Sequence, residues 1–166
     1  MKPGDHPEFY RFPAPEGRSR ESSIVLDAQG RFWHDGELVE HPGMARAFAS
    51  WIARHPDDGR FILTNPFDWT YFTVEDVPFF VHSLRDADGI PLLVLSDGTE
   101  EPLAPDTLTS DARQALYCRV KQGQFEARFT PQAQTSLEPW LVERADGEVC
   151  VRVGGQDFAV GERNRS

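Results

Sequence analysis

Two adjacent carboxylates, Glu75 and Asp76, are the residues of this sequence best suited by type and position to carry chemistry. They lie between two apolar segments typical of strands, and burying an unpaired charge costs several kcal/mol. Both carboxylates must therefore be exposed at a strand end or accept hydrogen bonds from backbone amides. Two interpretations remain open. Either Asp76 stabilises the turn before Pro78, or the pair lines a cleft in which Trp69 and Phe79 are stacking surfaces.

Recognised catalytic motifs are absent from the sequence, which contains no GxSxG, HExxH, GxGxxG or P-loop string. Cys118 and Cys150 alternate with apolar residues on predicted strands, which is typical of small buried thiols that lack an activating base. We therefore expect no catalytic residue, no metal site and no cofactor. An enzyme of unrecognised type that uses the carboxylate pair is one alternative.

The charge balance restricts the partners of this protein. With 17 basic and 27 acidic residues, the chain has a formal net charge of −10. Such a field repels nucleic-acid phosphates and anionic membranes, so neither is an expected partner. Every charged residue from 86 to 111 is acidic, which predicts a solvated surface that a protein partner could bind. A calcium loop is not expected there, because Pro91 stands where such a loop needs glycine. The acidic residues are Asp86, Asp88, Asp97, Glu100, Glu101, Asp106 and Asp111.

Cysteine usage and hydropathy favour the cytoplasm. The sequence has two cysteines with no CxxC pair, and it has no basic segment followed by an apolar leader. No apolar run approaches the roughly 20 residues of a membrane-spanning helix. These features fit a reduced cytoplasm better than export.

The periodicity of the sequence predicts the elements that position these residues. Apolar residues three and four apart predict one helix that ends at Trp51-Ile52 and another, capped by Thr130, that ends at Trp140-Leu141. Each is followed by an Asp-Gly pair and a strand, so a strand–helix–strand–strand unit occurs twice. The predicted fold class is α+β, with antiparallel sheets that each have one main helix. Either unit alone would expose an apolar sheet face, which packing of the two would bury.

Two hairpins have registers that follow from alternating apolar and polar residues. One turns at residues 122–123 and the other at residues 154–155. In the first, Arg128 opposes Tyr117, and a cation over a ring is either a ligand contact or a stabilising surface pair. The predicted cross-strand pairs are Val120–Phe125, Arg119–Glu126, Tyr117–Arg128 and Arg152–Asp157.

Composition divides the chain into four segments. Prolines and scattered charges without a period predict that the first 22 residues form a flexible or loosely docked arm. Its aromatic residues Phe9, Tyr10 and Phe12 would be costly to leave in water, so we expect them to lie against the protein. The predicted segments are the arm 1–22, an N-terminal repeat domain 23–86, a C-terminal repeat domain 87–161 and a tail 162–166.

Several stretches resemble a known bacterial family. They are the string GRFWHDG at residues 30–36, the strand at residues 61–64, the string VEDVPF at residues 74–79 and the closing string VRVGGQDF at residues 151–158. Over residues 23–161 the chain resembles the DUF1285 family, whose members are proteins of unknown function. The resemblance implies a duplicated α+β core whose C-terminal half is similar to pleckstrin-homology folds.

The same resemblance implies a site at the interface of the two halves that suits a nucleotide-like ligand, with a role in signal transduction. The chain departs from the family after Thr64, since Trp69 stands where the family has a lysine after its carboxylate. We therefore expect a non-catalytic ligand-binding or regulatory protein, with a protein-interaction adaptor that uses the acidic surface as a further alternative. The candidate ligand-binding residues are Asn65, Trp69, Glu75, Asp76, Phe79, Tyr117 and Arg128.

Overall fold

Most of the regular elements between residues 2 and 163 are short strands, and both α-helices are short as well. The computed structural model describes residues 2–163. These residues form two compact units, which divide after Asp76, whereas the predicted repeat domains divide after residue 86. Each unit is a mixed α+β structure with one α-helix, which confirms the predicted fold class.

The first unit contains two sheets. A four-stranded sheet has the order β3-β2-β1-β7, in which β1 and β7 are parallel, and a three-stranded antiparallel sheet has the order β4-β5-β6. Its buried side chains include Leu26, Phe32, Ile62 and Trp69. The elements are β1 (Val25–Leu26), β2 (Phe32–His34), β3 (Glu37–Leu38), α1 (Pro42–Ser50), β4 (Ile52–Arg54), β5 (Phe61–Thr64), β6 (Trp69–Tyr71) and β7 (Thr73–Val74).

The second unit contains a seven-stranded sheet with the order β10-β9-β8-β13-β12-β11-β17 and a three-stranded sheet with the order β14-β15-β16. Its core includes Phe80, Leu93, Tyr117, Phe129 and Leu137. The elements are β8 (Phe79–Ala87), β9 (Ile90–Leu95), β10 (Glu100–Pro102), β11 (Thr109–Ser110), β12 (Leu116–Val120), β13 (Phe125–Phe129), α2 (Pro131–Leu137), β14 (Leu141–Glu143), β15 (Val149–Val153), β16 (Gln156–Ala159) and β17 (Gly161–Glu162).

Helix α2 begins after Thr130 as the sequence predicts, and both α-helices end earlier than predicted. The Thr130 hydroxyl accepts a hydrogen bond from the Ala133 amide at 3.2 Å and so caps α2. The prediction that the helices run through Trp51-Ile52 and Trp140-Leu141 is wrong, because Ile52 and Leu141 each begin a strand. A 3₁₀ turn over Glu138–Trp140 separates α2 from β14.

The two units share a local order of elements. In each, a strand leads into the α-helix, and an antiparallel three-stranded meander follows it: β4-β5-β6 in the first unit and β14-β15-β16 in the second. The Asp-Gly pairs at residues 58–59 and 146–147 lie in the first turn of each meander, where both glycines have positive φ. Each meander thus adds one strand to the predicted strand–helix–strand–strand unit.

The predicted hairpin registers are confirmed. Val120 pairs with Phe125, Arg119 with Glu126, Tyr117 with Arg128 and Arg152 with Asp157. The first hairpin turns through four residues rather than two, and three of these, at positions 121–123, have positive φ. Within residues 2–163, neither α-helix is long and apolar enough to cross a bilayer.

One member of the acidic stretch, Asp97, is buried rather than solvated, with a side chain 7% exposed. Its carboxylate accepts hydrogen bonds from Lys121 Nζ and from the Thr99 hydroxyl, each at 2.6 Å. Burial alone would raise the pKa of Asp97, but these hydrogen bonds outweigh it and hold that pKa below its ordinary 3.8. Glu100 pairs with Arg85, and Glu101 accepts from the Lys121 amide. Several carboxylates of the predicted acidic surface are therefore engaged within the second unit.

We expect Lys121→Met to lower the free energy of unfolding by about 2 kcal/mol at pH 7, because it leaves the Asp97 carboxylate buried without its cation. A carboxylate with a depressed pKa stabilises the fold above its unfolded pKa and stops doing so as the pH falls through its folded pKa. The difference in the free energy of unfolding between the variant and wild type should therefore narrow as the pH falls below 3.8, the ordinary pKa of this carboxyl. Urea unfolding across this range measures it.

Arg85→Met is the matched control. Arg85 pairs with Glu100 at an exposed site, so its loss should change the free energy of unfolding by less than about 0.5 kcal/mol. An effect of Lys121→Met that stays constant with pH would contradict the role given to Asp97.

Candidate functional site

Asn65 and Trp69 lie at the turn between β5 and β6, and both have structural roles. Asn65 Oδ1 accepts hydrogen bonds from the amides of Phe67 at 2.9 Å and Asp68 at 3.0 Å, which closes an Asx turn. The Trp69 ring is buried beside Phe9, and its Nε1 donates to the Phe9 carbonyl at 3.2 Å. Trp69 is therefore a core residue, and its indole N–H is already bonded.

The two carboxylates at the end of the first unit differ in exposure. Glu75 is exposed, and its Oε2 accepts a hydrogen bond from the Ala28 amide at 3.3 Å. The Glu75 amide donates to the Leu26 carbonyl at 3.0 Å, so this residue is tied to the loop after β1 through both its backbone and its side chain. Asp76 is half-buried. Glu75 thus has a structural role, and the ligand-binding role of the pair stays a prediction.

Phe79 is fully enclosed in the second unit. Its ring packs edge-on against that of Phe125 with centroids 5.3 Å apart, and Lys121 Nζ lies 5.3 Å from its centroid. Its relative exposure is 2%. Phe79 is therefore part of the core in this structure rather than an open stacking surface.

Tyr117 and Arg128 are adjacent, as the register predicts, but Tyr117 is buried rather than on a wet face. Arg128 Cζ lies 5.7 Å from the Tyr117 ring centroid, and Arg163 Cζ lies 3.7 Å from it. Arg163 also makes two hydrogen bonds to Glu126, at 2.8 and 3.0 Å. Two guanidinium groups therefore lie near one buried phenol ring.

A cleft of about 740 Å³ opens in the second unit beside α2, and Arg128 lines it. Arg113 is a second cation in its wall, and Gln114 and Gln134 contribute amides. Apolar side chains line the remainder, together with the carboxylates of Glu138 and Glu148 and the hydroxyls of Ser110 and Thr135. The apolar lining residues are Ala115, Leu116, Pro131, Leu141, Val149 and Val160.

Hydrogen bonds fix the loop that presents Arg113. Asp111 Oδ1 accepts from the amides of Arg113 and Ala115, each at 2.9 Å, and Gln114 adopts a positive φ of 65°. Burial would raise the pKa of Asp111, but these amides and the charge of Arg128 hold it below the ordinary value. The carboxylate therefore stays ionised and holds the loop in one conformation.

Gln134 joins α2 to the same loop. Its Oε1 accepts from the Leu116 amide at 3.1 Å, and its Nε2 donates to the Gln114 carbonyl at 3.3 Å. Asp111 and Gln134 therefore both hold this loop of the cleft wall. Arg113 itself is exposed, and among residues 2–163 its guanidinium forms no ion pair. The arrangement leaves one cation of a rigid loop available to an anion.

Two solved structures resemble this chain. A DUF1285 family protein from Silicibacter pomeroyi DSS-3, at 2.50 Å resolution, has a TM-score of 0.68 and 18% identity over 92% of this chain and 92% of its own. A DUF1285 family protein from Shewanella baltica OS155, at 1.40 Å, has a TM-score of 0.54 and 19% identity over 68% of this chain and 87% of its own. This chain has the fold of the DUF1285 proteins.

The DUF1285 fold confirms the mixed α+β architecture that the sequence resemblance implies, and the similarity of the C-terminal half to pleckstrin-homology folds stays a prediction. At identities of 18% and 19% the likeness establishes fold and leaves function to the site itself. No protein-family model and no curated protein matches the sequence. The DUF1285 proteins it resembles are described by family alone, so no activity comes with the fold.

A smaller cavity of about 140 Å³ lies in the first unit of this DUF1285 fold. Asn65 and Trp69 are in its lining, together with Phe48 and Trp51. Its volume is below the several hundred Å³ of ordinary ligand pockets. The predicted binding of a ligand at the interface of the two halves stays a prediction.

Reactive groups are not concentrated in either cavity. Cys118 and Cys150 are buried as predicted, and burial, with the nearby Glu101 and Glu126 carboxylates, raises the pKa of Cys118 to about 12. A thiol with so high a pKa is a poor nucleophile. Among residues 2–163, no three His, Cys, Asp or Glu side chains are grouped to hold a metal ion.

Sequence analysis missed Arg113 and Gln134 as candidate ligand contacts. A position between two predicted strands gave Arg113 no distinguishing pattern, and Gln134 lies on the polar side of a predicted helix. The one available signal was Asp111, since an aspartate that starts a loop often accepts hydrogen bonds from the next amides and so fixes the conformation of that loop.

Proposed function

We propose that this protein is a non-catalytic binding protein of the cytoplasm that holds a small nucleotide-like anion in the cleft of its second unit. A regulatory role in signal transduction would follow from such binding. The shared DUF1285 fold and the strings at residues 30–36 and 74–79 support placing the chain in that family.

The composition of the cleft carries this proposal. Arg113 and Arg128 offer charge-assisted hydrogen bonds to a phosphate, while Leu141, Val149 and Val160 offer an apolar wall for a planar base. Its volume of about 740 Å³ lies within the range of ordinary small-molecule pockets. A few convergent polar groups beside an apolar wall are typical of a binding site.

A non-catalytic role fits the chemistry of the lining. The residues of this cleft include neither histidine nor cysteine, and its carboxylates, Glu138 and Glu148, are exposed. Both carboxylates are open to water, whereas a carboxylate that acts as a general base at neutral pH is typically desolvated by burial. The groups present therefore favour binding and orientation of a ligand over bond breaking.

We expect AMP or GMP to raise the melting temperature of the full chain, because a ligand that binds only the native state stabilises it by mass action. Arg113→Glu should weaken this binding by about tenfold or more, since it replaces an ion pair with repulsion. Isothermal titration of each nucleoside monophosphate, with adenosine and guanosine as uncharged counterparts, measures the contribution of the phosphate.

Arg18→Glu is the matched control, because it makes the same change of charge at an exposed residue of the other unit. The Arg18→Glu variant should bind each nucleoside monophosphate with the affinity of wild type. Thr135→Trp fills the cleft from α2 without touching either arginine and should abolish binding. If no nucleotide shifts the melting temperature at millimolar concentration, the proposed function is wrong.

A further inference from the structure

The N-terminal arm has local structure of its own. Two 3₁₀ turns, Pro3–Asp5 and Phe9–Arg11, are joined by a hydrogen bond of 3.0 Å from the Glu8 amide to His6 Nδ1. The rings of His6 and Phe12 lie 4.8 Å apart. These contacts lie within the arm, and the Gly4 amide also ties the first turn to the first unit by donating to the Pro66 carbonyl at 2.7 Å.

The rest of the first unit donates hydrogen bonds to two consecutive backbone carbonyls of this arm. Trp69 Nε1 donates to the Phe9 carbonyl at 3.2 Å, and His55 Nε2 lies 2.9 Å from the Tyr10 carbonyl. Since the Asp57 amide donates to His55 Nδ1 at 3.1 Å, Nε2 carries the proton and donates. Ring contacts with Trp69 at 4.9 Å and with Tyr71 at 5.6 Å position this imidazole.

Three successive side chains of the arm are also recognised. Phe9 is buried in a cluster with Ile62 and Trp69, and Tyr10 packs against that cluster. Arg11 makes two hydrogen bonds to the Asp57 carboxylate, at 2.7 and 3.1 Å. The groove that holds the arm thus fits an aromatic residue, a second aromatic residue and an arginine in succession.

A tether connects the docked part of the arm to the sheet. Residues 13–19 are exposed apart from the half-buried Ala14, and Gly17 has a φ of +78° with open space around it. Arg20 anchors the chain again by donating to the Trp69 carbonyl at 2.8 Å. Arg20 Nη2 also donates to the Phe12 and Pro13 carbonyls, at 3.2 and 3.1 Å, so release of residues 2–12 breaks these two bonds while Arg20 keeps its bond to the Trp69 carbonyl.

We propose that this groove is a peptide-binding site for a segment of another protein with the pattern aromatic–aromatic–arginine, and that the arm is its competitor in cis. The indole and imidazole N–H groups face the groove, and a peptide that supplies two carbonyls can restore both hydrogen bonds when the arm is displaced. Recognition through main-chain carbonyls admits a second peptide with the same side-chain pattern. A tethered competitor acts at a local concentration of about 1 mM, which keeps the wild-type groove closed to weak peptides.

The probe is a fluorescein-labelled peptide of residues 4–15, titrated into the full chain and followed by anisotropy. Phe9→Ala in the full chain weakens the arm in cis, so this variant should bind the peptide about tenfold more tightly than wild type does. A second labelled peptide, with alanine in place of Phe9, should bind at least tenfold more weakly than the first.

Arg11→Ala is a second variant that keeps the core intact, because Arg11 pairs with Asp57 at an exposed site. It should tighten peptide binding about threefold, as an exposed ion pair allows. Far-ultraviolet circular dichroism and the melting transition establish that each variant is folded. Failure of both folded variants to bind the peptide, or equal binding of the two peptides, would overturn the proposal.

Discussion

Replacing Trp69 with alanine is expected to destabilise the first unit by about 3–5 kcal/mol, the range for removing a large aromatic side chain from a core. Trp69 is 6% exposed, and it packs with Phe9 and Ile62 while Arg20 Cζ lies 4.5 Å from its ring centroid. The substitution removes the ring, the cation–π contact and the donor to the Phe9 carbonyl together. The arm then loses its main contact with the meander.

Urea unfolding followed by circular dichroism measures this loss, because fluorescence would change through removal of the tryptophan itself. Phe67→Ala is the matched control, since Phe67 is two positions away and 64% exposed. Its expected effect is below about 0.5 kcal/mol. Trp69→Phe should lie between them, as it keeps most of the apolar ring and loses the hydrogen bond. Equal stability of the Trp69→Ala and Phe67→Ala variants would contradict a core role for Trp69.

Trp69 also illustrates how far sequence analysis reaches. From sequence alone, a tryptophan beside a turn can equally be a stacking surface or a core residue, because the alternation of residues along one strand does not show which face of it is covered. The arm that covers it lies far away in the chain, and its bond to Trp69 joins residues 60 positions apart. The expectation that the arm aromatics lie against the protein holds for Phe9 and Tyr10, whereas Phe12 is 40% exposed.

The hairpins were predictable for the opposite reason. Apolar and charged residues alternate over Phe125–Phe129, so a slip of one residue would place charged side chains where the apolar ones lie. The register therefore follows from local sequence alone. The contacts of the acidic stretch do not follow from local sequence. Lys121, which donates to Asp97, lies 24 positions further along the chain, directly after β12. The cleft beside α2 depends on the same kind of distant contact, and only Arg128 of its lining was expected.

Asp27 is the second residue whose loss should be severe. It is 6% exposed at the start of the turn between β1 and β2, where its side chain accepts four hydrogen bonds. Oδ1 accepts from the amides of Gln29 at 2.9 Å and Arg31 at 2.8 Å. Oδ2 accepts from Arg31 Nε and from Trp33 Nε1, each at 2.9 Å. One carboxylate therefore satisfies two backbone amides, a guanidinium and an indole.

Asp27→Ala leaves these four donors without their acceptor, so we expect it to lower the free energy of unfolding by about 3 kcal/mol. Asp27→Asn keeps the size of the side chain but offers one accepting oxygen instead of two, and should cost about 2 kcal/mol. Asp106→Asn, at an exposed position of the second unit, is the control and should be neutral within about 0.5 kcal/mol.

The pH dependence of stability distinguishes loss of the Asp27 charge from loss of side-chain volume. Burial would raise the pKa of Asp27, but the bonds from Trp33, Arg31 and Gln29 outweigh it and hold the pKa below 3.8. The charge therefore stabilises the fold above the unfolded pKa, and this contribution disappears as the pH falls through the folded pKa. Asp27→Asn should differ most from wild type at neutral pH and converge with it under acid. Urea unfolding of both proteins across the acid range measures this convergence. Because asparagine cannot titrate, a difference in the free energy of unfolding that stayed constant with pH would contradict the role of the charge.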